Sequence, residues 1–227
     1  MNYKLVCRNA ISNRAFSLVE LSIVLIIIGL LVAGVTSGSK LIYQSKLQKF
    51  ASNLNDMQVA VATFRVTYSQ FPGDFDDAAN IWSGQTSGDG NGKIDSAERP
   101  DAWDQLNVSG IYFISGTAQA RPTLVFPEIN KRFIYVEPGY AGFVDDAKDN
   151  NTIQIGKGSS TDAPAFIPKD MYFIDQKLDD GLPKEGKISF RVSVGGGTSD
   201  AGCTNSSTSY YLSSTAEACN MVYVIEL

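Results

Sequence analysis

The pattern of hydrophobic positions along the chain changes after the first helix-length segment, and each pattern predicts a different kind of element. From Leu18 to Val35 the chain is almost continuously apolar, interrupted only by Glu20, Ser22 and two glycines. About 17 to 25 such residues let a helix cross a bilayer. The segment therefore predicts one membrane-spanning helix.

A helical pattern continues beyond this run as a single apolar stripe. Apolar residues recur at alternating spacings of three and four, which places them on one face of a helix. The stripe consists of Leu47, Phe50, Leu54, Met57, Val61, Phe64 and Tyr68. It predicts an amphipathic second half of the same helix, which packs on a soluble domain or in a coiled coil. Pro72 and Gly73 in "FPGDF" predict where the helix ends.

Downstream of that turn the apolar runs are short and rich in β-branched and aromatic residues. Clusters of Gly, Pro and Asn separate them, as is typical of strands. The runs begin at Gly110, Thr123, Arg132, Thr152, Lys187 and Met221. We expect roughly four to six strands in an antiparallel sheet laid against the stripe, which is an α+β fold.

Composition and charge exclude several functional classes. The 227 residues are 44% hydrophobic and 19% charged, enough for one sizeable core. A net charge of −5 and the absence of a basic stripe argue against nucleic acid as a partner. The chain has no histidine, which removes Ser-His-Asp and Cys-His catalysis and imidazole zinc sites. Catalysis by carboxylates would need a recognisable pair of acids, which is lacking, so we expect no enzyme.

The cysteines bear on the compartment. Cys7 precedes the apolar run, whereas Cys203 and Cys219 lie near the C-terminus. The last two could close a short loop as a disulfide, which requires an oxidising compartment such as a periplasm. Alternatively, they are two buried free thiols.

One acidic stretch resembles a calcium loop. "SGDGNGKIDSAE", from Ser87 to Glu98, aligns with the twelve-residue EF-hand loop, with Gly92 at the turn. The ligands would be Ser87, Asp89, Asn91, the carbonyl of Lys93, Asp95 and Glu98. Only the first position departs, with Ser in place of Asp, and Asp74, Asp76 and Asp77 could supply missing oxygens. The alternatives are a weak calcium site and a plain Gly-Asp-Asn surface turn.

A second acidic group lies at the end of a predicted short helix that Gly181 and Pro183 stop. Asp175, Asp179 and Asp180 form this group. Carboxylates at a helix C-terminus oppose its dipole, so we expect a lysine or a cation to compensate them unless the turn is simply solvated.

The N-terminus combines a basic leader without acids, the small residue Ala15, the aromatic Phe16 and Glu20 ahead of the apolar helix. This arrangement resembles the N-termini of type IV prepilins and type II secretion pseudopilins. The resemblance implies that a prepilin peptidase cleaves between Ala15 and Phe16, that the new amino group is methylated, and that subunits assemble through the exposed helix. It also implies a helical spine with a sheet head and a C-terminal disulfide loop. Ala15 departs from the usual glycine, and the helix lacks the proline of many pilins.

Glu20 has a physical role in such an assembly. A lone carboxylate in hydrocarbon costs several kcal/mol unless it is paired. The amino group of a neighbouring subunit's Phe16 could neutralise it and set the axial register of the two helices. The alternative is that Glu20 extends to the lipid headgroups.

Together these patterns predict four segments: a cytoplasmic leader (1–15), a transmembrane assembly helix (16–37), an amphipathic helix (38–70) and a soluble head (71–227). The basic leader places the N-terminus in the cytoplasm and the head in the periplasm. The chain would then be a subunit of a type IV pilus or pseudopilus in the bacterial inner membrane, or outside the cell once assembled. Its partners would be prepilin peptidase and other pilin-like subunits. The alternative is a permanently anchored periplasmic module that binds calcium or a partner.

Overall fold

The computed structural model describes residues 17–112, 124–126, 131–136, 150–157, 164–189, 202–206 and 209–225. Ala15 and Phe16, the residues of the predicted cleavage site, lie outside these ranges. The chain divides into two units, residues 1–44 and residues 45–227.

The longest element is helix α1, Leu18–Tyr68, with 51 residues. None of its residues before Leu47 is buried. Its first part is long and apolar enough to cross a membrane. The largely apolar residues 18–35 of α1 are therefore exposed in this fold, as expected of a helix that lies in lipid.

The second part of α1 supplies one wall of the core. Six members of the predicted stripe are buried and Tyr68 is partly buried, which confirms the stripe. The Phe50 ring lies 5.5 Å from that of Phe166. Phe64 packs against Phe75 at 6.0 Å and against Trp82 at 6.2 Å between ring centroids. Aromatic pairs at these separations add to the apolar burial.

The helix ends just before the predicted turn. Ser69 takes a left-handed conformation with φ of 63° and donates from its N–H to the Arg65 carbonyl at 2.8 Å. A left-handed residue after the last turn is a common helix terminator. The Arg65 guanidinium lies 4.6 Å above the Phe71 ring, which fixes the direction in which the chain leaves α1.

Three shorter helices follow: α2 (Ala78–Ile81), α3 (Arg99–Val108) and α4 (Pro168–Leu178). Helix α4 lies where the sequence predicts a short helix that ends before Gly181 and Pro183. Helix α3 was not predicted, because its sequence "RPDAWDQLNV" is mostly polar. It buries Ala102, Trp103 and Leu106 on one face.

A five-stranded antiparallel sheet, in the order β1-β2-β3-β7-β4, forms the second layer. Its strands are β1 (Leu124–Phe126), β2 (Lys131–Val136), β3 (Thr152–Lys157), β4 (Ile188–Ser189) and β7 (Met221–Val224). A separate hairpin pairs β5 (Thr204–Ser206) with β6 (Ser209–Tyr210). The α+β prediction is confirmed. The run from Gly110 is not a strand over residues 110–112, and the rest of it lies outside the described residues.

The centre of the sheet packs on α1. Ile153 pairs with Tyr223 and Ile155 with Met221, and these four residues belong to the same buried cluster as the stripe. The Tyr223 hydroxyl donates a hydrogen bond to Gln58 Oε1 on α1. This bond satisfies the polar end of a large buried side chain and links the sheet to the helix within an otherwise apolar contact between described residues.

The Cys203–Cys219 disulfide is present, which confirms that prediction. It closes a separation of 16 residues, a length for which the loop-entropy model gives about 3 kcal/mol. Cys219 also forms an antiparallel bridge with Phe166, the residue that leads into α4. The disulfide therefore closes the C-terminal loop, and the bridge to Phe166 links this loop to the residues just before α4.

Phe64→Ala should lower the free energy of unfolding by about 3 to 5 kcal/mol, because it leaves a cavity in the core. The measurement is urea unfolding of the full chain in neutral detergent, followed by tryptophan fluorescence. Val66→Ala is the matched control, since Val66 is 86% exposed on the same helix. It should change the value by less than about 0.5 kcal/mol. Equal losses in the two variants would contradict the assignment of the buried face.

Candidate functional site

The first candidate site is the N-terminus of α1. The backbone N–H of Ser17 donates to Glu20 Oε2 at 3.0 Å, and that of Val19 donates to Ser17 Oγ at 3.3 Å. This is a capping box, in which a serine and a glutamate three residues later satisfy unpaired N–H groups of the first turn. The sequence signal was present in "SLVE" but the sequence analysis missed it.

The capping box determines where the Glu20 carboxylate lies. Its oxygen turns back toward Ser17 and the start of the helix, where the helix dipole also favours a negative charge. Glu20 is exposed, so the carboxylate is accessible to a group from another chain. The carboxylate is therefore held against the backbone of Ser17, the residue that follows Phe16 in the sequence.

The second candidate site is the acidic loop that follows α2. Its first residues pair with the turn after α1: the N–H of Gly88 donates to the Phe75 carbonyl at 2.9 Å, and that of Gly90 to the Asp74 carbonyl at 3.0 Å. A Cβ on Gly88 would lie 2.4 Å from backbone atoms of Gly73 and Asp74. Only glycine allows this approach, which brings Asp74 into the loop.

The Asp74 carboxylate is fully buried and accepts two backbone hydrogen bonds from the loop. The N–H of Asn91 donates to Oδ1 and that of Gly92 to Oδ2, both at 2.8 Å. Asn151, the residue before β3, binds the acidic loop through two further hydrogen bonds. Its Oδ1 accepts from the Ile94 N–H at 2.9 Å, and its amide donates to the Gly92 carbonyl at 3.1 Å.

Glu98 accepts hydrogen bonds from both ends of the loop. The N–H of Asp89 donates to Oε1 at 2.9 Å and that of Asp95 to Oε2 at 3.1 Å. Oxygens of Asp74, Asp89 and Glu98 all lie within 4.8 Å of one another. This separation could hold a metal ion, and carboxylate oxygens are the ligands that calcium prefers.

The structure brings Asp89 and Glu98 of the predicted calcium set together, and Asp74 adds a third carboxylate to them. Ser87 Oγ accepts from the Ala79 N–H, Asn91 Oδ1 from the Lys93 N–H, and Asp95 Oδ1 from the Ala97 N–H. Asn91 also contacts the group, because its amide donates to Asp89 Oδ2 at 2.9 Å.

The electrostatics of this group favour a positive charge. Burial raises the pKa of Asp74 and of Glu98, against the lowering effect of their backbone hydrogen bonds. The negative charge of Asp89 raises the pKa of Asp74 further, and Asp95 and Asp74 do the same for Glu98. A cation at this point would reverse these shifts, because it stabilises the ionised carboxylates.

The second acidic group is held mainly by hydrogen bonds within the fold. Asp175 accepts from the Tyr210 hydroxyl at 2.6 Å and from the Gly181 N–H at 3.2 Å. Asp179 accepts from the backbone N–H groups of Lys187 and Ile188. Oxygens of Asp175, Asp179 and Asp180 also lie within 4.8 Å, a spacing that could hold a metal ion. Asp175 is the buried member and ties α4 to the disulfide loop through Tyr210.

Comparison with known proteins bears on the first site. Residues 12–36 match the family model of the prokaryotic N-terminal methylation motif. The chain carries the type IV pilin and pseudopilin signature. The matched segment includes Ala15, Phe16 and Glu20 and runs into the apolar part of α1. No curated protein and no solved structure matches the chain.

This signature marks a pilin-like or pseudopilin-like substrate of prepilin peptidase, a class of structural protein anchored in a membrane. It agrees with the uncovered apolar helix and with the disulfide of the head. The acidic loop lies outside the matched segment.

Asp175→Asn should change how stability depends on pH. Burial raises the pKa of Asp175 to about 7 from 3.8, with smaller raising effects of Asp179 and Asp180, whereas the bonds from Tyr210 and Gly181 lower it. The unfolded chain ionises this group at lower pH than the fold does. The free energy of unfolding therefore falls by up to about 4 kcal/mol as the pH rises from about 4 to about 7, because each pKa unit of difference corresponds to 1.36 kcal/mol.

The neutral asparagine avoids this loss, so the melting temperature of Asp175→Asn should exceed that of the wild type at about pH 8 and approach it at about pH 5. Thermal unfolding across this range measures the difference. Asp76→Asn, which changes an exposed acid, should keep the wild-type profile. Parallel profiles for the wild type and Asp175→Asn would disprove the role of this carboxyl.

Proposed function

We propose that this protein is a structural subunit of a type IV pilus or a type II secretion-like pseudopilus. The methylation motif at residues 12–36, which leads directly into the exposed apolar part of α1, is the observation that supports this proposal. Prepilin peptidase removes residues 1–15 between Ala15 and Phe16, and Phe16 becomes the methylated N-terminus. The subunit then assembles with other pilin-like subunits through residues 16–37.

In this proposal the unassembled subunit resides in the bacterial inner membrane, with its N-terminus in the cytoplasm and its head in the periplasm. Residues 38–70 continue the helix, and residues 71–227 form the head. Removal of the three leader cations changes the net charge from −5 to −8. The head becomes extracellular where the filament is a pilus.

Glu20 is the proposed assembly residue. The capping box holds its carboxylate at the start of α1, where the amino group of a neighbouring subunit's Phe16 neutralises it. The pairing removes the cost of a carboxylate in hydrocarbon only when two helices meet in the correct register. Assembly is therefore favoured in one axial arrangement.

The structure allows the charge of Glu20 to be separated from its capping role. Glu20→Gln keeps a capping-box acceptor but removes the charge, whereas Ser17→Ala removes the serine cap but keeps the charge. In the native host, both variants should yield a chain that starts at methylated Phe16 by intact mass. Glu20→Gln should be reduced at least about tenfold in sheared filaments, because about 1.4 kcal/mol or more of pairing is lost. Ser17→Ala should remain assembled.

Two results would count against this proposal. A wild-type chain that keeps residues 1–15 would favour a permanent membrane anchor. Normal filament content of Glu20→Gln would show that the charge is not needed for assembly.

A second function, calcium binding in the head, is favoured by the convergence of Asp74, Asp89 and Glu98. We propose that calcium binds these carboxylates, with an affinity of roughly 10⁻⁴ to 10⁻³ M, typical of extracellular modules. The ion would link the turn after α1, the acidic loop and the start of α3. Such a link suits a head that works outside the cytoplasm.

Calcium at about 5 mM should raise the stability of the full chain by about 1 to 2 kcal/mol relative to EDTA, as expected for an affinity of this order. The measurement is thermal unfolding in neutral detergent with and without calcium. Glu98→Gln should abolish the difference, because it removes one ligand charge. Asp76→Asn, whose carboxylate does not belong to the group, should retain it. Identical melting of the wild type in calcium and EDTA would disprove this site.

A further inference from the structure

A basic segment follows the apolar run of α1. Lys40, Lys46 and Lys49 are exposed on the helix, and the sequence contains no acidic residue between Glu20 and Asp56. We call residues 40–49 the juxtamembrane segment. Helix formation through this segment places three ammonium groups on its surface.

The charge of this segment contrasts with that of the rest of the chain. Residues 1–49 hold six of the 19 basic residues and one of the 24 acidic residues. Residues 50–227 therefore hold 13 basic and 23 acidic residues, a net charge of −10. The juxtamembrane segment therefore has a net charge of +3, whereas the acidic remainder of the chain is repelled by a negative surface.

The apolar residues of the same segment are exposed as well. Leu41, Ile42 and Tyr43 are 66%, 61% and 46% exposed. They lie six to eight residues beyond the end of the uncovered apolar run of α1 and between Lys40 and Lys46 in the sequence. Exposed aliphatic side chains, a tyrosine and lysines in one helical segment are typical of the boundary between hydrocarbon and water, where ammonium groups extend to the headgroups.

We propose that the juxtamembrane segment binds an anionic phospholipid surface, with lipid phosphate oxygens contacting the ammonium groups of Lys40, Lys46 and Lys49. The proposal rests on the proposed function only in that α1 crosses a membrane. Leu41, Ile42 and Tyr43 lie in the interfacial layer, which places the flanking lysines at headgroup level. Lys46 follows Tyr43 by three residues and Lys49 by six, or roughly 4.5 and 9 Å of helical rise. Both distances are within one screening length of the surface at about 0.1 M salt, where that length is about 10 Å.

Binding of this kind gives the subunit a lipid preference. The same three lysines would favour membrane regions rich in anionic lipid before assembly, and they would leave these lipids when the subunit enters a filament. A competing occupant is the acidic surface of a second copy of the chain. Lipid is favoured because the segment continues an apolar run that already requires a membrane.

The test measures which lipids remain bound to the full chain. The protein is purified in neutral detergent, mixed with equal amounts of phosphatidylcholine and phosphatidylglycerol, and isolated again, and the bound lipids are quantified by mass spectrometry. The wild type should be enriched in phosphatidylglycerol at about 0.05 M salt and lose the enrichment at about 0.5 M. Each lysine contributes about fivefold to binding of an anionic surface at low salt.

Three sets of variants isolate the segment. The triple change of Lys40, Lys46 and Lys49 to Gln should lower the enrichment at least about fivefold. The change of the same residues to Arg should preserve it, since the charge is kept. The matched control changes Lys169, Lys177 and Lys184 in the head to Gln. It removes the same number of charges and should leave the enrichment unchanged. The basic leader is identical in all of these chains.

Equal enrichment in the wild type and the juxtamembrane Gln triple would overturn the proposal. So would a result in which the Gln triple loses self-association in lipid-free detergent but keeps its lipid preference, because the lysines would then bind a second copy. Failure of the proposed function has a different signature. The chain would remain outside lipid bilayers altogether, or would keep residues 1–15 in the native host.

Discussion

Burial of the α1 stripe beneath the sheet is the interaction on which the rest of the head depends. The helix presents one continuous apolar face from Leu47 onward, and no single element downstream is large enough to cover it. Strands β3 and β7 of the sheet cover this face. Phe166, which precedes α4, packs against Phe50, and Trp82 packs against Phe64 at the other end of the stripe. Removal of this area from water supplies most of the favourable free energy of such a small head.

Helix α1 is long because its first part is suited to lipid and its second part packs in the core of the head. Its first part exposes large apolar side chains on every side, which water does not tolerate and lipid does. Its second part exposes only scattered apolar residues such as Val59 and Val66 opposite the buried face. The change from an apolar surface all round to a single stripe therefore marks the change from a lipid environment to a protein environment along one element.

The polar features of the head also follow from this packing. Because α1 ends at a left-handed residue followed by a turn at Gly73, Asp74 lies beneath the acidic loop, where burial raises the pKa of its carboxyl. Asp175 is buried in a comparable way between α4 and the disulfide loop. In both places a carboxylate organises backbone N–H groups of a loop that has no regular hydrogen bonding of its own. Both groups have carboxylate oxygens spaced closely enough to hold a metal ion, and burial raises the pKa of the buried aspartate in each.

The sequence by itself determined the elements whose signal is local. The apolar run, the stripe on α1, the end of that helix and five of the sheet strands are all visible in periodicity and turn residues, because these depend on contacts between near neighbours. The methylation motif is likewise a contiguous pattern. Only the tertiary structure decided that Asp74 stands beside Asp89 and Glu98, since the close approach at Gly88 joins segments separated in the chain. The same holds for α3, whose polar sequence carries no strong helical period, and for the contact of Tyr210 with Asp175, which are 35 residues apart. Such pairings depend on how the layers stack, and no pattern along a single chain records that arrangement.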